Sequence, residues 1–182
     1  MGILFETKIE GSIQDRVETK LWEEPGGLWQ MEIPVGFEPM DEETKKQYFP
    51  YVHFSQAVMY YEEEEVLLTS QLLSKERIGG EVLNTAQQIQ ELVKDTWPQH
   101  KITPVGRWEE KQHTAAWFAM TMGEEKREHI KLLFGLSARP GKMVLMTFTY
   151  PTEKGYKWNP ILRRLFSTVK EKKQEGGGEC SG

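Results

Sequence analysis

At 182 residues, with 38% hydrophobic and 28% charged residues, the chain has the size and make-up of one water-soluble domain with a sizeable core. Its net charge of −5 excludes the basic footprint that nucleic acid or an anionic membrane surface requires. No run approaches the roughly 18 apolar residues of a membrane span, and a single cysteine, Cys180, excludes an internal disulfide.

In chain order, residues 1–15 read as an N-terminal arm or edge strand. They lack a basic start followed by an apolar stretch, so no secretory signal is read and a cytoplasmic location is expected. Residues 16–23 and 28–34 alternate apolar with polar, and Pro25-Gly26-Gly27 between them is a turn, which predicts a hairpin. Trp22 and Trp29 are expected to meet across it. Pro34 stops the ladder. Asp41 is an N-cap for a short helix through Tyr48, with Glu42 and Glu43 at the positive end of its dipole. Residues 51–61 and 66–74 read as paired strands with four glutamates, 62–65, at the tip. That run reads as a solvated tip that discourages edge aggregation, because no calcium-loop spacing accompanies it.

Residues 80–97 form the strongest helix pattern. Val82, Ala86, Ile89, Val93 and Trp97 make an apolar stripe, with Gln87, Gln90, Glu91, Lys94 and Asp95 on the wet side. A strand over 102–109 leads into three further strands at 113–122, 129–137 and 143–150, which read as an antiparallel meander. With tight turns, Trp117 falls opposite Phe134, and Phe134 near Thr147. One face then carries Trp117, Ala119, Ile130, Leu132, Phe134, Leu136 and Leu145. The other carries Phe118, Met120, Met122, Leu133, Met146, Phe148 and Tyr150. Both faces are apolar, so both need cover. A wet face would forfeit on the order of 10 kcal/mol, comparable to the whole net stability of a domain. Asn159 as N-cap and Pro160 as first residue open a last helix with Ile161, Leu162, Leu165, Phe166 and Val169 as its stripe and Lys170, Lys172 and Lys173 near its end. Residues 174–182, rich in glycine, read as a disordered tail. The expected class is α+β, with one domain over 16–173.

The hairpin ending in Met31-Glu32-Ile33-Pro34 with Gly36-Phe37 after it, the long helix at 80–97, the Trp117-Phe118 strand, and the Phe148 strand followed by Trp158 and a final helix resemble the PsbP-like fold superfamily, in its DcrB-like bacterial branch. The resemblance covers roughly residues 17–172. It implies an antiparallel sheet with helices on both faces, an α/β/α sandwich, and a non-catalytic, protein-binding role.

No residue pattern carries chemistry. His53, His100, His113 and His129 lack zinc spacing, Cys180 has no held base, and no Gly-x-Ser-x-Gly or phosphate loop occurs. No catalytic residue, metal or cofactor is assigned. The expected function is a cytoplasmic adaptor or chaperone-like module binding another protein, with no nucleic acid and no membrane insertion. The alternatives are a small-ligand binder or enzyme of unrecognised type, and a structural subunit of a larger assembly. The candidate partner-binding face is Phe118, Met120, Met122, Met146, Phe148 and Tyr150, because flexible methionines suit adaptable grooves. The competing reading of that face is ordinary core beneath a helix.

Overall fold

The computed structural model describes residues 17–50, 56–74, 81–110 and 113–173. The expected arm at 1–15, the tail at 174–182 and the first part of the 51–61 strand lie outside the described residues. The chain runs β1 (Thr19–Glu23), β2 (Trp29–Pro34), β3 (Glu38–Pro39), α1 (Glu42–Tyr48), β4 (Gln56–Tyr61), β5 (Val66–Ser74) and α2 (Val82–Thr96). It continues through β6 (Lys101–Ile102), β7 (Gly106–Glu110), β8 (His113–Met122), β9 (Arg127–Gly135), β10 (Lys142–Pro151), α3 (Gly155–Ser167) and β11 (Lys170–Glu171). Pairings among the described strands are antiparallel. An eight-stranded sheet has the order β3-β4-β5-β10-β9-β8-β6, with β7 also on β8, and a second sheet has the order β1-β2-β11.

Both faces of the large sheet are apolar and both carry a helix, as the α+β sandwich requires. On one face, Val144, Met146, Phe148 and Tyr150 of β10 and Ile130, Leu132 and Phe134 of β9 pack against Trp158, Ile161, Leu162, Leu165 and Phe166 of α3. The small sheet shares this face. Alternation turns Trp29, Met31 and Ile33 of β2 inward, each at most 1% exposed, and Trp29 meets Phe134 edge to face at 5.6 Å. The Trp22–Trp29 pair forms as expected, rings 5.2 Å apart. On the opposite face, Ala86, Ile89 and Val93 of α2 cover Ala116, Phe118 and Met120 of β8 and Leu133 of β9.

The register departs from the sequence expectation. Trp117 pairs with Leu132 rather than Phe134, a shift of two that leaves the faces unchanged. Phe134 pairs with Val144 rather than near Thr147, a shift of three that exchanges them. The cause is the β9–β10 connection. It is not a tight turn but a five-residue loop, 137–141, closed by Leu136 N–H on the Lys142 carbonyl (3.0 Å), with Gly141 at φ +81°. Met146, Phe148 and Tyr150 therefore lie on the α3 face, and Leu145 lies on the α2 face.

Other differences have local causes. The strand expected over 102–109 breaks into β6 and β7 at Pro104, which has no N–H for the ladder. Gln90 is buried rather than wet, its amide satisfied by donating to the Thr103 carbonyl. Trp97, expected in the core, caps α2 and is 42% exposed. A 3₁₀ turn at Thr152–Lys154 starts α3 four residues before Asn159, so Pro160 lies inside the helix. The Asn159 side chain accepts the Tyr150 hydroxyl instead of capping. Residues 170–171, expected as helix, pair with β2.

Gly36 rests on the ring of Tyr61, where a Cβ would stand 2.3 Å from Cζ, whereas a Cβ at Gly123 would meet nothing within 4 Å. Gly36→Ala is expected to lose about 1–3 kcal/mol in urea denaturation through overpacking, and Gly123→Ala to stay within about 1 kcal/mol of the parent.

A candidate partner-binding site around helix α1

The expected partner-binding face does not exist as one surface. Phe118 and Met120 are buried under α2 with half-buried Met122, while Met146, Phe148 and Tyr150 are buried under α3 on the opposite side. The exchange of faces at β10 divides the set, and the core reading describes these side chains.

Among the described residues, two clefts lie at the β3–β4 edge. Asp41 caps α1 as expected, accepting hydrogen bonds from the Thr44 N–H (2.9 Å) and hydroxyl (2.6 Å), which hold its carboxyl below the usual range. Glu42 and Glu43 lie in the first turn and Lys45 and Lys46 in the last, matching the helix dipole. None of the residues of α1 is buried. Its near end is tied by Met40 N–H to the Val58 carbonyl at 2.9 Å. The helix therefore stands between two clefts instead of sealing the core.

The first cleft, of about 820 Å³, separates α1 from the β1–β2 hairpin. Ala57, Met59, Ser70 and Leu72 form its floor, Trp22, Pro25 and Leu28 one wall, and Lys45, Lys46 and Phe49 the other. Leu72 is 41% exposed there. The second cleft, of about 640 Å³, lies on the other side of α1 and is lined by Val35, Tyr48, Tyr60 and Tyr61 with Glu38, Asp41, Glu62 and Glu63. Among the described residues no Lys or Arg lines it, although Glu38 meets Lys20 at 3.2 Å. Burial raises the Tyr60 hydroxyl pKa, nearby Tyr48, Glu62 and Glu65 add to this, and the Arg127 charge opposes it in part. A field of this sign favours a basic partner.

The glutamate tip is solvated at Glu62, Glu63 and Glu65 but not at Glu64. Burial alone would raise the Glu64 carboxyl. A hydrogen bond from Lys157 and the charges of Lys157 and Lys154 outweigh it and hold that carboxyl below its usual value. Lys154 also donates to the Glu64 carbonyl (2.9 Å), which pins the tip to the start of α3 and fixes one wall of the second cleft.

A polar row on the α2 face is distinct from both clefts. Lys131 Nζ donates to Thr147 Oγ1 at 3.2 Å, and His129 Nδ1 lies 3.0 Å from Thr149 Oγ1. Burial lowers Lys131 to about 8. Burial first, then the charges of Lys131 and Arg127, lower His129 to about 4, so its imidazole is neutral at pH 7. Among the described residues no three of His, Cys, Asp and Glu converge as a metal-holding group. No helix there is long and apolar enough to cross a membrane.

No protein-family model matches the sequence, and no curated protein matches it. Solved structures do. The chain is similar to cyanobacterial PsbP (CyanoP) from Synechocystis sp. PCC 6803, with a TM-score of 0.63 and 10% identity over 94% of this chain and 100% of that one. It is also similar to the Saccharomyces cerevisiae Ran-binding protein Mog1p, with a TM-score of 0.58 and 11% identity over 85% of this chain and 95% of that one. The chain has the PsbP-like fold that the sequence resemblance implied, and at these identities the likeness is one of fold.

The polar row sets a pH dependence. Between pH 6.5 and 4 the unfolded chain takes up a proton on His129 that the folded chain refuses, so stability falls as pH drops through that window. The loss is about 3 kcal/mol at most, and His129→Gln is expected to flatten the profile in urea titrations across it. Lys131 works at the other end. Its ammonium is disfavoured by folding, so stability rises as pH climbs from 8 to 10.5. Lys131→Met is expected to be more stable than the parent at pH 7, with the advantage shrinking above pH 8.

Proposed function

We propose that the chain is a cytoplasmic protein-binding module, adaptor or chaperone-like and without a catalytic role, whose partner docks around α1. The observation that carries this reading is the pair of clefts flanking a helix that buries nothing. One is floored with apolar side chains and the other combines tyrosines with carboxylates. Apolar anchors with a charged surround are what protein interfaces use, and tyrosine is enriched at their energetic centres. Val35, Tyr48 and Leu72, at 43%, 57% and 41% exposed, are large apolar groups left at this edge. That a fold neighbour is a Ran-binding protein supports a protein partner without identifying one.

The volumes of about 820 and 640 Å³ also fall in the ~300–1,000 Å³ range of small-molecule pockets. A small-ligand binder is therefore the second reading, and it predicts a co-purifying mass in native mass spectrometry of the isolated chain.

The test is quantitative capture from native lysate with the tagged chain, compared with Ala57→Trp, which fills the first cleft, and Glu62→Lys/Glu63→Lys, which reverses charge at the second. A partner held by the parent is expected to fall at least tenfold with one or both variants, about 1.4 kcal/mol, at unchanged melting temperature. Partners retained in full by both variants would refute docking at α1.

A further inference from the structure

We propose that the first cleft receives an extended peptide segment of the partner, which adds as a fourth strand to the free edge of β1. The inference rests on the docking reading above and specifies its occupant.

Backbone geometry carries it. Glu24 N–H donates to the Trp29 carbonyl (3.1 Å) and Val35 N–H to the Glu18 carbonyl (3.0 Å), which fixes the hydrogen-bonded pairs of the hairpin. Antiparallel alternation then makes Trp22–Met31 and Lys20–Ile33 the bonded pairs between them. Thr19, Leu21 and Glu23 consequently point their N–H and C=O groups away from β2. Among the described residues β1 pairs with β2 alone, since β11 occupies the other edge of β2.

The remaining edges are unlike this one. Among the described strands, β3, β6 and β11 have two residues each, short enough to offer no template, β4 is partly covered by β3 and by Met40 N–H on the Val58 carbonyl, and β7 borders neither cleft. β1 has five residues and reaches the first cleft through Trp22. Its charges are tied down rather than left as guards, Lys20 to Glu38 (3.2 Å) and Glu23 to Lys172 (2.7 Å), and Leu21 is 64% exposed.

The cleft suits the side chains of an added strand. Residues on one face of it would meet Trp22, Leu28, Met59 and Leu72, and the alternate residues would face water. A helix keeps its backbone groups in its own hydrogen bonds and has none to give this edge. The segment pairs over roughly four residues at about 3.4 Å each. The α1 wall adds a sign. Lys45 is engaged by Glu42 at 3.0 Å, whereas Lys46 is exposed with no ion pair among the described residues; with Glu24 on the hairpin wall, the cleft favours an acidic residue only at the position next to Lys46.

The probe is a random dodecapeptide phage library panned on the full chain, with selected sequences synthesised and measured by fluorescence anisotropy. Leu21→Pro removes the outward N–H without touching the β1–β2 ladder, and Leu21→Ala removes the side chain but keeps the N–H. Selected peptides are expected to alternate apolar residues. Affinity should fall at least tenfold in Leu21→Pro and stay within threefold in Leu21→Ala. Amide exchange at Leu21 and Glu23 of the parent should slow at least tenfold when peptide saturates it. Should Leu21→Pro fail to fold, the exchange result decides alone. Peptides that lose affinity in Ala57→Trp yet bind Leu21→Pro fully, with both amides unprotected, would overturn strand addition and leave docking in the cleft standing. A library yielding no binder also overturns strand addition, and the capture experiment then judges the docking reading separately.

Discussion

The pairing of β9 with β10 is the constraint on which the sandwich depends. With Val144 opposite Phe134, four large side chains of β10 enter one core, where Phe148 meets Phe37 at 6.4 Å and Phe166 at 5.5 Å. A slip of one residue would send Thr147 and Thr149 into that core and carry Val144, Met146, Phe148 and Tyr150 out of it. At roughly 1.5–3 kcal/mol per large side chain, such a slip costs about as much as a domain's entire net stability. The same pairing places the two threonines on the α2 face, beside Lys131 and His129. The polar row is thus the reverse side of the register that builds the core.

Much of the architecture was legible because it rests on local pattern. The period of 3.6 in α2, the alternation in β1 and β2, the Asp41 cap and the apolar character of both sheet faces all survive without knowledge of the partner strand. The β10 register did not, because what fixes it comes from far along the chain. The Glu171 carboxylate accepts from the Ser137 N–H at 2.8 Å and the Ala138 N–H at 3.0 Å, holding the β9–β10 loop in its five-residue form. In sequence, residues 170–173 carry the basic pattern of a helix end, which gives no sign of an acceptor there. The start of α3 failed for a related reason. Asn159 has the chemistry of a cap, but the hydroxyl of Tyr150, brought close by the sheet, claims its side chain.

The candidate site was less legible than the fold. The methionines that suggested a groove fill the core instead, and Met146 is wholly buried. Unbranched and polarizable, methionine packs irregular gaps as readily as it lines adaptable surfaces, so sequence alone leaves both roles open. The first cleft takes residues from the hairpin, the loop after β3, α1, β4 and β5. No stretch of chain contains it. What the sequence did show were its supports, the Trp22–Trp29 pair that stiffens one wall and the Asp41 cap that starts the other.

The choice of cover on each face has a consequence for what that face can bind. α2 buries its stripe with its backbone groups bonded internally, so it offers neighbours only side chains. A hairpin buries an equally apolar surface through Trp29, Met31 and Ile33, but it ends in an outer strand whose outward backbone groups have no partner strand among the described residues. The division of labour inside the hairpin follows from this. β2 is held between β1 and β11 and carries the buried residues, whereas β1 contributes one half-buried tryptophan and an exposed leucine. Stability therefore resides in the inner strand, and the outer one is left able to accept another chain without disturbing the core beneath it.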